Sequence, residues 1–180
     1  MRRRNSISLA LLMSVSVIAL SGCEEPKIDA AVFENLQQCI NDPKLSRSEC
    51  EQNYREARSQ HAAVAPKYVS KADCQADFGA GRCEMAPYRS SSGGSIFMPL
   101  MMGYMMGNMI GGRRTMMSQP LYRSADSPKS YRTADNRNVG AKTGRTKVPR
   151  GATGRPSFKT STLSRGGFGN SGRRFGSGAT

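Results

Sequence analysis

Residues 29–40 read Asp29-Ala30-Ala31-Val32-Phe33-Glu34-Asn35-Leu36-Gln37-Gln38-Cys39-Ile40. Val32, Phe33, Leu36, Cys39 and Ile40 recur at the spacing of one helical face. The Asp29 carboxylate can accept from the orphan amides of a first turn, and Asn41-Asp42-Pro43 ends the run. This reading makes the stretch the first helix of a small all-α body.

On its C-terminal side, Ser46-Arg47-Ser48-Glu49 has the form of a capping box, in which the Ser hydroxyl and the Glu carboxylate satisfy each other's backbone amides. Cys50, Tyr54, Ala57, His61 and Val64 then follow as one apolar stripe. Ala65-Pro66 stops that second helix. Ser70 with Asp73 caps a short third helix carrying Cys74 and Phe78, which Gly79 closes. The expected fold is a helical hairpin plus a short third helix over residues 30–89.

A body of this size buries too little apolar surface for comfortable stability, so covalent staples are expected. Cys39 falls in the last turn of the first helix and Cys50 in the first turn of the second. An antiparallel hairpin brings those turns together, which favours Cys39–Cys50, while Cys74 and Cys83 bracket the third helix and its Gly79-Ala80-Gly81 turn, which favours Cys74–Cys83. The two crossed pairings of the same four cysteines stay open. A four-cysteine zinc site is disfavoured, because the gaps are 10, 23 and 8 residues and structural zinc uses close Cys pairs. His61, the one histidine, reads as a half-buried helix residue rather than as partner to a cysteine nucleophile. No Ser/His/Asp set, catalytic carboxylate pair or phosphate loop emerges, and an enzyme is not expected.

Residues 1–22 read as a signal peptide. Arg2, Arg3 and Arg4 precede the apolar Ile7–Leu20 run of 14 residues, shorter than the roughly 20 that a spanning helix needs. Leu20-Ser21-Gly22-Cys23 resembles the bacterial lipobox, which implies lipid on Cys23 and a tether over 23–29. Anchoring Cys23 also leaves an even set of four cysteines, as an oxidising compartment favours. Glu24 after the cysteine points to the outer membrane in preference to the inner.

Residues 90–117 are rich in Met and Gly. Met98, Met101, Met102, Met105, Met106 and Met109 repeat as MxxMMxxMMxxM, while Gly103, Gly107 and Gly111 are four apart. On a helix these sets fall on opposite faces, and small-xxx-small spacing lets backbones approach. The segment is therefore expected to contact membrane or a partner. The alternative is Cu(I) held by the six thioethers, which are soft ligands suited to that ion.

Charge divides the chain. Residues 23–112 carry 9 basic and 11 acidic side chains, whereas 113–180 carry 15 basic and 2 acidic. The Gly/Ser/Arg-rich stretch 118–180 is expected to be a disordered basic tail. Arg165-Gly166-Gly167-Phe168-Gly169 resembles an RGG box, but an exported chain directs that charge to anionic envelope polymers and headgroups rather than nucleic acid.

APKY at 65–68, DC-x₃-FG-x₃-C from 73 to 83, MPLMMGYMMG at 98–107, QPLY at 119–122 and RGGFG at 165–169 occur in this order. Together they resemble the YgiB family of Gram-negative proteins of unknown function, over about residues 30–169. The resemblance implies an exported envelope protein and carries no catalytic residue, substrate or cofactor. The expected function is a structural or interaction role for a lipid-anchored envelope protein. Its basic tail would meet anionic polymers, and the Met/Gly segment would meet membrane or another envelope protein. The runner-up is a periplasmic copper-binding module.

Overall fold

Lys27–Phe33 (β1) is a strand, because its side chains alternate between two buried layers. Ala30 and Val32 enter one layer; Phe33 and the partly buried Ala31 enter the other. A strand covered on both faces presents an unbroken apolar run, and such a run fits a helical template as well as an extended one. The all-α expectation is therefore corrected. The structure, a computed structural model, describes residues 25–90, 92–106, 118–158 and 168. Among these, strand accounts for 33% and helix for 28%, in several antiparallel sheets with three helices. Asp29 does not cap a helix. It lies inside β1, and its carboxylate meets Lys147 Nζ across the ladder at 3.1 Å.

The first helix is shorter than expected and starts later. Leu36–Ile40 (α1) is capped by Asn35, whose side chain accepts from the Gln38 amide at 2.9 Å. Arg47–Val64 (α2) begins at the Ser46/Glu49 capping box and buries Cys50, Ala57, His61 and Val64, together with Asn53, which its stripe had not included. Lys71–Phe78 (α3) is capped by Ser70, which accepts from the Asp73 amide. These two starts are local hydrogen-bonding arrangements, so a few adjacent residues suffice to specify them.

The remaining elements are Cys83–Arg89 (β2), Ser95–Pro99 (β3), Gly103–Met106 (β4), Ser118–Leu121 (β5), Tyr131–Arg132 (β6), Asn138–Gly140 (β7) and Gly144–Pro149 (β8), followed by a 3₁₀ turn over Arg150–Thr153. Four strands form an antiparallel sheet in the order β5-β4-β1-β8; β2 pairs with β3 and β6 with β7. Val32 stands opposite Met105 and Phe33 opposite Tyr104 on one side of β1, while Ile28 stands opposite Val148 on the other.

Two layers sandwich this sheet. Val32, Met105, Leu121, Tyr131, Val139, Val148 and Ala152 fill one face. Phe33, Tyr104 and Met106 fill the other, against Cys39, Cys50 and Ala57 of α1 and α2. A third cluster joins the end of α2, α3 and the β2–β3 hairpin through Val64, Tyr68, Phe78, Ile96, Met98 and Tyr122.

The Met/Gly segment is thus not a helix where it is described. At Gly103 an added Cβ would lie 2.8 Å from the Phe33 carbonyl oxygen and 3.2 Å from Tyr131 Cε1, so this glycine lets β4 approach β1 and the Tyr131 ring. Nor is 118–158 a disordered tail: β5 is buried at all four residues, and β8 closes the sheet. Phe168 of the RGGFG motif is 2% exposed and packs on Phe78 with ring centroids 4.7 Å apart. Its amide donates to Asp77 Oδ2, which also accepts from the Tyr68 hydroxyl.

Candidate functional site

Cys39 is bonded to Cys50 and Cys74 to Cys83, with Cα separations of 5.7 and 6.2 Å. The first bond joins α1 to α2; the second joins α3 to the start of β2 rather than to a loop. Each contributes roughly 2–4 kcal/mol by constraining the unfolded chain. All four sulfurs are consumed, so none of them presents a thiolate. His61 lies at the core edge, with Nδ1 3.0 Å from the Tyr122 hydroxyl and Nε2 3.2 Å from Glu84 Oε1. Burial lowers its pKa against the opposing pull of Glu84 and raises that of Tyr122 well above the ordinary range.

The methionines are dispersed by the strand geometry. Met105 faces the layer with Val32 and Leu121. Met106, its neighbour, faces the opposite layer, with its sulfur 4.0 Å from Cys39 Sγ. Met98 sits in the third cluster. Met101 and Met102 are half-buried in the β3–β4 connection. The single thioether face needed for Cu(I) is therefore not assembled by Met98, Met101, Met102, Met105 and Met106. Gly107, Met109 and Gly111 lie outside the described residues, as do Cys23 and all of the RGGFG motif except Phe168. Among the described residues, no group of three or more His, Cys, Asp or Glu could hold a metal, and no helix is long and apolar enough to cross a membrane.

What the structure does assemble is a cleft beside the first described residues. Glu25 Oε1 accepts from the Gly151 amide at 2.6 Å, and the Pro26 carbonyl accepts from the Arg150 amide at 2.9 Å. Lys27 continues this contact by pairing with Pro149. The start of β1 is thus bound to the end of β8 and the 3₁₀ turn. Next to this junction opens a polar cleft of about 460 Å³.

Its walls come from the β6–β7 turn (Thr133, Asp135, Arg137) and from the segment after β8 (Gly151, Gly154, Arg155, Ser157). Asn136, at φ 60°, makes the tight turn, with the Thr133 amide donating to the Arg137 carbonyl. That turn presents Arg137 at the surface. Asp135 is committed to the opposite wall, where its carboxylate accepts from the Ser157 amide and hydroxyl. A Cβ at Gly151 would sit 2.6 Å from Glu25 Oε1, so a larger residue there would push the Glu25 carboxylate off its hydrogen bond. Exposed Arg137 and Arg155 give the cleft two guanidiniums, a forked donor set suited to phosphate or carboxylate oxygens. Phe158, beyond Ser157, is 76% exposed.

Sequence reasoning missed this site because its walls are 13 or more residues apart and carry no motif. The separate signals were the arginines themselves and the turn-forming Asp135-Asn136 pair.

Comparison with known proteins places these features in a family. Residues 27–177 match a family described as "Protein of unknown function (DUF1190)". A UPF0441 protein of Erwinia tasmaniensis is 38% identical over 184 residues, covering 93% of this chain and 82% of its own length. A UPF0441 protein of Yersinia enterocolitica is 38% identical over 186 residues, covering 91% and 80%. One from Pectobacterium atrosepticum is 35% identical over 182 residues, covering 93% and 81%. No solved structure matches this chain. With the match spanning the sheet, the disulfides and the cleft, the chain belongs to the UPF0441/DUF1190 family of Gram-negative bacteria, which is the YgiB family its motifs resemble.

Proposed function

We propose that this protein is a lipid-anchored component of the cell envelope with an interaction role, held at the outer membrane by lipid on Cys23 and contacting anionic envelope polymers through its basic C-terminal third. The observation that carries this reading is the bond between Glu25 and Gly151. It ties the residue two positions after Cys23 to the segment bearing Arg150 and Arg155, so a lipid on Cys23 would begin the chain close to those two arginines. Several acyl chains on one residue give stable anchoring, at about 0.8 kcal/mol per buried CH₂. The burial of Met98, Met105 and Met106 supports giving the contact to the basic third rather than to these three methionines.

Lipid labelling of the protein in cells tests the anchor. The unmodified chain incorporates labelled fatty acid and Cys23→Ala does not. Equal incorporation by both contradicts the anchor. Association with anionic polymers weakens as salt rises, because exposed charges are screened beyond about 8–10 Å at ordinary ionic strength.

A further inference from the structure

We infer that the cleft formed by Arg137 and Arg155, with Phe158 beside it in the chain, is a membrane-facing site that takes the phosphate of an anionic phospholipid headgroup. This deepens the proposed function and rests on its placement of Cys23 in the bilayer.

Three features converge. First, Glu25 and Pro26 are hydrogen-bonded to Gly151 and Arg150. A lipid on Cys23, two residues before Glu25, cannot be more than about 7 Å of extended chain from Glu25, so the cleft lies within reach of the headgroup layer. Second, the cleft offers two exposed guanidiniums. The nearby carboxylates are each engaged by the protein's own donors, Asp135 by Ser157 and Glu25 by Gly151. These bonds hold the walls in place and turn both carboxylates toward the protein's own donors. Third, Phe158, one residue beyond the Ser157 wall, leaves a large apolar side chain 76% exposed. An exposed aromatic side chain one residue past a cleft wall that also carries arginines suits the boundary between headgroups and acyl chains, where apolar rings enter and cations meet phosphates. A free phosphate would use the arginines and leave Phe158 without a role, and a soluble glycan phosphate would not require nearness to the anchor.

The test uses the full mature chain with its disulfides formed and with Cys23→Ala throughout, so the anchor contributes nothing to the reading. Binding is measured by sedimentation with vesicles of phosphatidylglycerol and phosphatidylcholine, and with phosphatidylcholine alone. The expected result is binding to the anionic vesicles only. Arg137→Gln with Arg155→Gln weakens it by about 30-fold, as the loss of two basic contacts near a charged surface implies. Phe158→Ala weakens it several-fold, roughly in proportion to the lost apolar contact. All three residues are exposed, so the variants should melt with the parent, and a melting curve checks this. Arg165→Gln, Arg173→Gln and Arg174→Gln together serve as the control for basic charge elsewhere in the sequence.

The inference is overturned if the triple control abolishes binding while the cleft pair leaves it unchanged. It is also overturned if millimolar inorganic phosphate displaces the protein completely and Phe158→Ala has no effect, which marks a free-phosphate site. Because every chain here lacks Cys23, failure of the cleft is read separately from failure of lipid labelling on the unmodified chain.

Discussion

His61 is placed to make the stability of this protein depend on pH. Its ring is buried between the Tyr122 hydroxyl and the Glu84 carboxylate, and burial lowers its pKa, with Arg58 adding to that effect and Glu84 opposing it. The ordinary value is about 6.5. Between the lowered value and the ordinary one, the unfolded chain binds more protons than the native one, so unfolding free energy rises with pH across that window. Stability is complete above the ordinary value and declines as pH falls below it. We expect the melting temperature to drop on acidification from pH 7 towards pH 5. His61→Gln should flatten that part of the profile while leaving the acid limb set by carboxylates such as Glu34, whose pKa is lowered by its hydrogen bond from Tyr131. A variant with the same slope as the parent between pH 7 and 5 contradicts this assignment.

At the scale of elements, the decisive case is β4. Read as a helix, the Met/Gly segment would gain from Gly103→Ala, since alanine is favoured over glycine in a helix interior by about 1 kcal/mol. In the strand, the added methyl meets the Phe33 carbonyl and the Tyr131 ring, and overpacking of this kind costs roughly 1–3 kcal/mol. Urea unfolding of Gly103→Ala should therefore show a lowered midpoint; a raised one contradicts the strand.

The same contrast explains what was legible in the sequence. The starts of α2 and α3 were, because Ser46 with Glu49 and Ser70 with Asp73 make local hydrogen bonds. The meeting of helix ends at Cys39 and Cys50, and the bracketing of a short helix by Cys74 and Cys83, also led to the disulfide pairs that are found. β1 and β4 were not, because strands buried on both faces lose the alternation that marks a half-exposed strand. β5 was hidden further, since Ser118-Gln119-Pro120-Leu121 is half polar and is buried by α2, far back in the chain, by β4 and by the layer that holds Leu121. The cleft shares that difficulty: Arg137 and Arg155 line one cleft only because the chain between them runs through β8, which pairs with β1.

At the scale of the whole molecule, early and late parts of the described chain pack together. β1, near the N-terminus, lies between β4 and β8, and Phe168 reaches back onto Phe78 of α3. Basic charge that looked like a trailing segment is partly built into the body. Lys147 pairs with Asp29 and Arg145 with Asp42 at the sheet edge, whereas Arg137 and Arg155 line the cleft. A lipid on Cys23 would turn that end toward the bilayer and leave the methionines of β3 and β4 inside the core.

Hydrogen exchange tests this orientation most directly, on the full Cys23→Ala chain with and without phosphatidylglycerol vesicles. The account predicts slow exchange over 103–106 in both conditions, as the amides of a strand paired on both sides require, and further slowing over 133–137 and 150–157 when vesicles are present. Slowing over 96–106 on adding vesicles, with 133–137 and 150–157 unchanged, would contradict it and return the membrane contact to the Met/Gly segment.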